Sequence, residues 1–487
     1  MIPKAIRLHA LLALSGAATV LAFSPMALPG LMFAALAVLF WSFRNAPTPA
    51  SAAGCGFSFG LGYFAANIHW IYISLHNFGG MPNWMAAGCV LALAAAMALY
   101  PALAGWLSRR LPCPENLRPP LLFPAIYILV EWVRGWLFTG FPWAGTGSSQ
   151  VGPLAGWFPL LGVYGVGALV ALSTALTLWR WRMGAAALIL VFLTGFGLER
   201  IDWTRPAGKP VSVSLVQGAV PQSLKWDPVQ YRSTLALYLD LSRQSRGEIV
   251  LLPETAIPSF MEKTPPEYLK ALAEPFAQQG RHLLTGFATG DDRRYYNSLV
   301  LLTDPARLYH KQHLVPFGEY VPLPWLFGWM YNYLNMPLSG FTSGGLGQPP
   351  LVMGNTRLAG NICYEDIFGN EVRKSAASAT LLANVSNMAW FEGSWAAEQH
   401  LQMARARSLE TGRWMIRATN TGATAIVDHR GKVQARLEES KRGILEGAAQ
   451  NREGTTPYML WGDAPVIGLL AGLLLGLLVK GRRRRAT

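Results

Sequence analysis

Three short runs of this chain end on a side chain that can do chemistry. In "EIVLLPETAIP" an apolar run stops at Pro253 and presents Glu254. In "ARLYHKQHLVPFGEYVP" a short alternating run presents Lys311, with Glu319 eight residues later, and in "RLAGNICYEDIFGNEVR" the run breaks at Cys363 before an acidic, helix-like turn. A strand-to-helix elbow exposes its first side chain and turns the following backbone N–H groups toward it, as a covalent nucleophile requires. A thiolate attacks a carbonyl carbon, a carboxylate whose pKa is lifted by partial burial takes the thiol proton, and a fixed cation stabilises the oxyanion. Singly, each residue has a plainer reading: a small buried hydrophobe, a helix-capping carboxylate, a solvated lysine. Their order, Glu254, Lys311, Cys363, each at a strand end, points instead to one site.

The elements that must position them begin at "KPVSVSLVQG", where the texture changes to short β-rich runs separated by Pro, Gly and Asn. Strands are expected at 211–217, 248–252, 282–287, 297–303, 307–311, 357–362 and 380–385, with a hairpin over 414–428. The run "AAEQHLQMARARSLETGR" over 396–413 reads as an amphipathic helix with Leu401, Ala404 and Leu409 on its apolar side. Together these make a folded α/β domain over 201–460, and its roughly 250 residues suffice for one well-buried core.

The remainder is membrane-like. The chain of 487 residues is 52% hydrophobic and 14% charged, with a formal net charge of +14. Apolar stretches of about 20 residues cross a hydrocarbon core. Such stretches fall near 8–24, 27–43, 55–76, 84–107, 119–138, 158–179 and 183–199, with an eighth at 463–480. Lys and Arg occupy every second gap: Lys4 and Arg7, Arg44, then Arg109, Arg110 and Arg118, then Arg180 and Arg182, then "KGRRRR". Basic residues stay on the cytoplasmic side. This alternation predicts eight spans with both termini inside and the 201–460 segment outside. Topology thus accounts for the positive charge that would otherwise suggest nucleic-acid binding. A cleavable leader is the other reading of residues 1–24, but removing that span would upset the alternation. The organisation is therefore 1–200, seven membrane helices; 201–460, an extracytoplasmic domain; 461–487, an eighth helix and basic tail.

Cys55, Cys89, Cys113 and Cys363 form no C-x-x-C or close pair, so neither a disulfide framework nor a zinc site is suggested. His310 and His313 in "YHKQH" alternate onto opposite strand faces and do not converge as metal ligands. Within the fifth span Glu131 and Arg134 lie one helical turn apart and read as a mutual ion pair, supporting helix packing or a lipid head group.

The contexts "LLPETAIP", "YHKQHLVPFGEYVP" and "GNICYEDIF" resemble those of the Glu-Lys-Cys triad of the nitrilase superfamily. With seven spans before that domain and one after, the whole chain resembles the membrane-integrated apolipoprotein N-acyltransferases, a likeness that extends to "VQGAVPQSLKW", "YNSL", "NVSNMAWF" and "QMARARSLETGR". The resemblance implies a polytopic α-helical membrane protein carrying an inserted αββα sandwich in the periplasm, in the bacterial inner membrane. It implies acyl transfer from a phospholipid to the N-terminal amine of diacylglyceryl-cysteine of an apolipoprotein, by a ping-pong thioester route without metal or cofactor. Glu254, Lys311 and Cys363 would be catalytic, Glu319 would hold Lys311, and Tyr364 and Glu365 would support the oxyanion. Trp226, Asn297 and Trp390 would face substrate. The aromatic run "WLFGWMYNYL" and the following "SGGLGQPP", in 326–348, suggest a loop that closes over the site. A membrane-anchored amidohydrolase acting on a small soluble substrate is the competing enzyme reading, though one anchor would suffice for it. A transporter or assembly scaffold would leave the three strand-end residues without a reason for their types.

Overall fold

The computed structural model describes residues 3–291, 293–328 and 340–486. They fall in two compact units, one of Met1–Tyr72, Asn83–Ile201 and Leu460–Thr487, the other of Ile73–Pro82 and Asp202–Met459.

In the first unit a helix lies over each of the eight apolar stretches: α1 (Lys4–Ala18), α2 (Gly30–Asn45), α3 (Pro49–Asn67), α4 (Asn83–Arg110), α5 (Phe123–Arg134), α6 (Phe158–Trp179), α7 (Trp181–Leu198) and the C-terminal Ala464–Ala486. Among the described residues, five helical segments are long and apolar enough to cross a membrane, namely Lys4–Ala22, Asn83–Arg110, Ala155–Trp179, Trp181–Leu198 and Ala464–Arg484. The expected 55–76 boundaries shift. The α3 helix starts at Pro49 because Thr48 caps it, its Oγ1 accepting from Ser51 N at 3.1 Å while Ser51 Oγ accepts from Thr48 N at 3.2 Å. The expected 119–138 helix is shorter too: α5 stops at Arg134, and Phe138 and Thr139 take left-handed backbone (φ 55° and 71°). The chain then turns back, and this turn takes the hydrogen bonds expected to join Glu131 to Arg134. Glu131 accepts from Thr146 N at 2.7 Å and Thr146 Oγ1 at 2.6 Å, while Arg134 donates to the carbonyls of Phe141 and Trp143. The two residues anchor the turn rather than each other, because helix ends leave polar backbone that an apolar setting must satisfy.

The second unit is layered. Besides a short antiparallel pair of Arg205–Pro206 with Arg452–Glu453, its strands are β1 (Val211–Gln217), β2 (Ile249–Leu251), β3 (His282–Gly290), β4 (Tyr295–Leu301), β5 (Leu308–His310), β6 (Leu351–Met353), β7 (Thr356–Ile362), β8 (Leu381–Ser386), β9 (Met415–Thr419), β10 (Ala425–Val427), β11 (Val433–Arg436) and β12 (Gly443–Ala449). They form two six-stranded sheets, ordered β12-β1-β2-β3-β4-β5 and β11-β10-β9-β8-β7-β6. Each has three parallel strands at its centre, β1-β2-β3 in one and β7-β8-β9 in the other, flanked by antiparallel ones. Alternate residues such as Val213, Leu215, Leu284 and Leu299 meet Leu358, Ile362, Val385 and Ile416 between the sheets. The outer face of the first sheet is covered by α9 (Pro228–Gln244) and α10 (Pro266–Gln278), which follow the short α8 (Gln222–Lys225). The other outer face is covered by α11 (Gly369–Ala376) and α12 (Ala396–Thr411). This is an αββα sandwich.

The α12 helix buries the expected apolar side, Leu401, Ala404 and Leu409, but most of its polar side as well. Gln399, His400, Gln402, Arg407 and Glu410 are buried along with Leu401 and Leu409. Its polar side is internally paired, Arg407 Nε lying 3.0 Å from Glu410 Oε2 and His400 Nε2 2.6 Å from Asp366 Oδ1.

Close backbone approach organises the first unit. A Cβ on Gly62 of α3 would stand 1.9 Å from the Ala13 carbonyl of α1, and one on Gly56 would stand 2.1 Å from the Pro101 carbonyl of α4. Gly62→Leu is expected to lower the thermal unfolding midpoint in detergent by roughly 5 °C or more, as overpacking does. Gly88→Leu on α4, with nothing within 4 Å of its Cβ, is expected to leave it unchanged.

Candidate active site

The first sheet delivers the acids and the cation. The chain leaves β2 through Leu252 and Pro253 to Glu254, packed so closely on β3 that a Cβ on Gly286 would stand 2.6 Å from Glu254 Cα. Asn297 lies on β4, and Lys311, one residue past β5, donates its backbone N–H to the Asn297 carbonyl at 2.7 Å. Lys311 Nζ is 2.9 Å from Glu319 Oε1 and 3.6 Å from Glu254 Oε1. Asn297 Nδ2 donates to both carboxylates, at 2.8 Å to Glu254 Oε1 and 3.0 Å to Glu319 Oε1. The two remaining oxygens accept backbone donors, Glu254 Oε2 from Asn387 N and Glu319 Oε2 from Val315 N, each at 2.8 Å. Lys311 is only 1% exposed. Burial alone would depress its pKa, but the carboxylates of Glu319 and Glu254 outweigh that and hold it above the usual lysine range. The ammonium is therefore permanent.

The second sheet delivers Cys363, the candidate nucleophile. Cys363 follows the last residue of β7 with φ +53°, a left-handed conformation for a residue with a Cβ, and is partly exposed. Non-glycine residues in such conformations carry about 1–3 kcal/mol of strain and cluster at functional sites. Burial in the site, with Glu254 adding to it and Lys311 opposing, pushes the thiol up to about 12. At neutral pH Cys363 is a thiol. To attack a carbonyl carbon it would have to surrender that proton.

The other candidate residues are placed as follows. Glu365, expected beside the oxyanion, is fully buried as a brace: Oε1 accepts from Tyr309 OH at 2.9 Å, Gln312 N at 2.6 Å and His313 N at 3.0 Å, and Oε2 accepts from Ile362 N at 2.6 Å. It ties the Lys311 segment to the elbow. Burial pushes its pKa up to about 7 against the pull of Lys311 and of those backbone donors. The Tyr364 ring packs edge-on against His313 and Phe368, at 5.8 and 5.1 Å. Asn297, expected to face substrate, spends its Nδ2 on bridging the two glutamates. Trp226 is half-buried at the end of α8, and half-buried Trp390 meets Phe78 edge-on at 5.7 Å. His310 bonds Ser298 Oγ at 2.7 Å and His313 bonds Glu371 Oε1 at 2.9 Å. Of the expected closing loop, 329–339 lie outside the described residues. Just beyond them, Gly340 N and Phe341 N donate to the Glu319 carbonyl at 2.8 and 2.9 Å, and Gly344 N to that of Lys311 at 2.8 Å.

Two contributors escaped the sequence reading. Lys225 is 4% exposed and donates to the Glu254 carbonyl at 3.2 Å, and burial pushes it down to about 8 even though Glu254 and Cys363 pull it upward. Asn387 supplies the N–H to Glu254. Both stand within quoted runs, "QSLKW" and "NVSNMAWF", yet neither run has a spacing that tells a buried group from an exposed one.

This arrangement can take a proton from a thiol, hold a developing oxyanion next to a fixed cation and return the proton to a leaving group. Lys311 lowers the thiol pKa, so Lys311→Met is expected to raise it further and to slow Cys363 alkylation by iodoacetamide at every pH between 7 and 10. In the unsubstituted protein the rate should climb across that range without levelling near the ordinary thiol value of about 8.5.

Two family models match in sequence order: the apolipoprotein N-acyltransferase N-terminal domain over residues 15–176 and the carbon-nitrogen hydrolase domain over 212–458. A protein of Chromobacterium violaceum named apolipoprotein N-acyltransferase is 46% identical, the alignment covering 97% of this chain and 94% of that one. One of the same name from Nitrosomonas europaea is 44% identical over 97% of each chain. Among solved structures, a carbon-nitrogen hydrolase superfamily protein from Xanthomonas campestris is 16% identical with a TM-score of 0.37, covering 54% of this chain and 97% of that one. Near-complete relatives at 46% and 44% identity place the chain in the apolipoprotein N-acyltransferase family.

Proposed function

We propose that the protein moves an acyl chain from a membrane phospholipid to the α-amine of a diacylglyceryl-cysteine at the start of an apolipoprotein, through a thioester on Cys363. One observation carries the mechanism: a buried ammonium held by two carboxylates, Lys311 between Glu254 and Glu319, placed where its charge and that of Glu254 both act on a strained cysteine.

The charge count sets the order of events. With Lys311 cationic and both glutamates ionised the cluster carries one net negative charge, and ionising the thiol would add a second in a buried site. Attack and proton transfer therefore go together. Cys363 Sγ bonds to the ester carbonyl carbon as its proton passes to Glu254, and the negative charge moves to the carbonyl oxygen, beside Lys311 and the Tyr364 N–H. The cluster's net charge is unchanged throughout. Such preorganised donors are worth about 3–4 kcal/mol each in other enzymes. Collapse breaks the ester C–O bond, Glu254 returns the proton to the departing glycerol oxygen, and a lysophospholipid leaves. The lipoprotein amine then attacks the thioester and gives its proton to Glu254. The C–S bond breaks, and the sulfur takes that proton back. Glu319 fixes the Lys311 ammonium and Glu365 fixes the elbow. Trp226 and Trp390 are suited to meet the lipid substrates, since an indole pairs an apolar face with one N–H donor.

All eight helices cross the bacterial inner membrane in this proposal, with both termini cytoplasmic and the 201–460 domain in the periplasm. The alternation of Lys and Arg between the apolar stretches supports this orientation. Both substrates are then reached from the bilayer. A membrane-anchored amidohydrolase is not favoured, because near-complete relatives at 46% and 44% identity carry the N-acyltransferase name.

Purified protein given phospholipid and a diacylated lipopeptide is expected to add one acyl chain to the peptide, read as a mass increase. Cys363→Ala and Glu254→Ala should abolish this while the protein stays folded, and Glu319→Gln should slow it by roughly 10–100-fold through a loosened cation. Transfer at the unsubstituted rate in Glu254→Ala would remove that residue from the mechanism.

A further inference from the structure

A second buried polar cluster, made of residues other than the acids and Lys311, reaches the Cys363 carbonyl. Past the last β7-β8 rung, Ile362↔Val385, the Cys363 carbonyl has left the sheet. Two side chains reach it, Asn384 Nδ2 of β8 and His400 Nε2 of α12, each at 3.1 Å. His400 Nε2 also lies 2.6 Å from Asp366 Oδ1, in the turn that begins at Cys363. Arg417 of β9 ion-pairs with Asp366 through Nη1 and places Nη2 2.7 Å from His400 Nδ1. Ser386 Oγ donates to Asn384 Oδ1 at 2.6 Å, which turns the Asn384 amide nitrogen toward the Cys363 carbonyl. All five side chains are 0–1% exposed.

The hydrogen-bond chemistry fixes the histidine. A guanidinium only donates, so His400 Nδ1 accepts from Arg417, and the proton sits on Nε2. Burial, then the Arg417 cation, depress its pKa, consistent with a neutral ring. His400 is thus a donor aimed at Asp366 and at the Cys363 carbonyl. It touches no reacting atom in the chemistry above.

We propose that the Asp366–His400–Arg417 set, with Asn384, clamps the Cys363 carbonyl and so holds the nucleophile in its left-handed turn, making His400 a positioning residue for the acylation step. The inference rests on the reading of Cys363 as nucleophile. Without the two side-chain donors, that carbonyl would be left only with what its own 3-10 turn supplies, and the strained backbone could relax toward ordinary φ. Sγ and the N–H of Tyr364 would then shift together. A misplacement of about 1 Å is enough to cost on the order of 100-fold in rate.

The test compares His400→Ala, which removes the donor, with His400→Gln, whose side-chain amide can supply one. Two rates are measured on folded protein: acyl-adduct formation on Cys363 from phospholipid, and Cys363 alkylation by iodoacetamide. His400→Ala is expected to slow acylation by roughly 10–100-fold at saturating phospholipid, with the half-saturating phospholipid concentration unchanged. Alkylation should slow as well, and His400→Gln should recover most of both rates. Unchanged rates in folded His400→Ala, or a folded His400→Gln as slow as His400→Ala, would overturn the proposal. If neither variant folds, Asn384→Asp, which replaces a donor to the carbonyl by an acceptor, must show the same slowing, and unchanged rates there would overturn it. If the unsubstituted protein forms no acyl adduct, the reading of Cys363 fails, while the alkylation comparison still judges the clamp.

Discussion

One buried ammonium sets the terms for the catalytic domain. Lys311 is 1% exposed and must find its counter-charges inside the protein, and Glu319 and Glu254 supply them at 2.9 and 3.6 Å. Leaving a buried charge without its partner costs about 3–5 kcal/mol, so the strands that deliver these groups are constrained in register as well as in packing. Glu254 follows β2, Asn297 lies on β4 and Lys311 follows β5, all in one sheet. Cys363 follows β7 in the other sheet, and the apolar layer between the two sheets fixes its distance from the ion cluster. Glu365 adds a polar link, bonding at once to the Lys311 segment and to the strand end before Cys363.

The same cluster accounts for how a cysteine with a raised pKa would serve as the proposed nucleophile. A low-pKa thiolate would sit as a resting anion beside two carboxylates. A protonated thiol avoids that repulsion and ionises only as the charge of Glu254 is being transferred to the oxyanion. In the proposed mechanism, catalysis consists of relocating one negative charge around a cation that does not move, which keeps reorganisation small. Lys225 adds a second amine at the Glu254 backbone, pushed down to about 8 by burial, so the protein invests two lysines in one carboxylate's surroundings.

Much of this was legible in sequence because apolar runs ending on a reactive residue are local features. The strand expected over 211–217 has those bounds in the structure, and those expected at 357–362 and 380–385 differ from β7 and β8 by a single residue. The expected hairpin over 414–428 is the antiparallel pair β9-β10. Three strands of the two six-stranded sheets gave no such signal: β6 has three residues, β11 is barely buried and β12, "GILEGAA", is short of β-branched side chains. What spacing cannot show is which polar residues are interior. The α12 run reads as amphipathic, yet His400, Arg407 and Glu410 are buried because Asp366, Arg417 and one another lie opposite. Glu131 and Arg134 mislead for a related reason. Their one-turn spacing fits an ion pair, but a turn from later in the chain offers each a better partner.

The most direct test of the central claim is the mass of the intact protein after incubation with phospholipid alone. One acyl adduct on Cys363 is expected, absent in Cys363→Ala, that disappears when a diacylated lipopeptide with a free α-amine is added and persists when that amine is blocked. A protein that transfers the acyl chain to the peptide yet never carries it, or whose adduct survives in Cys363→Ala, would rule out a thioester on Cys363.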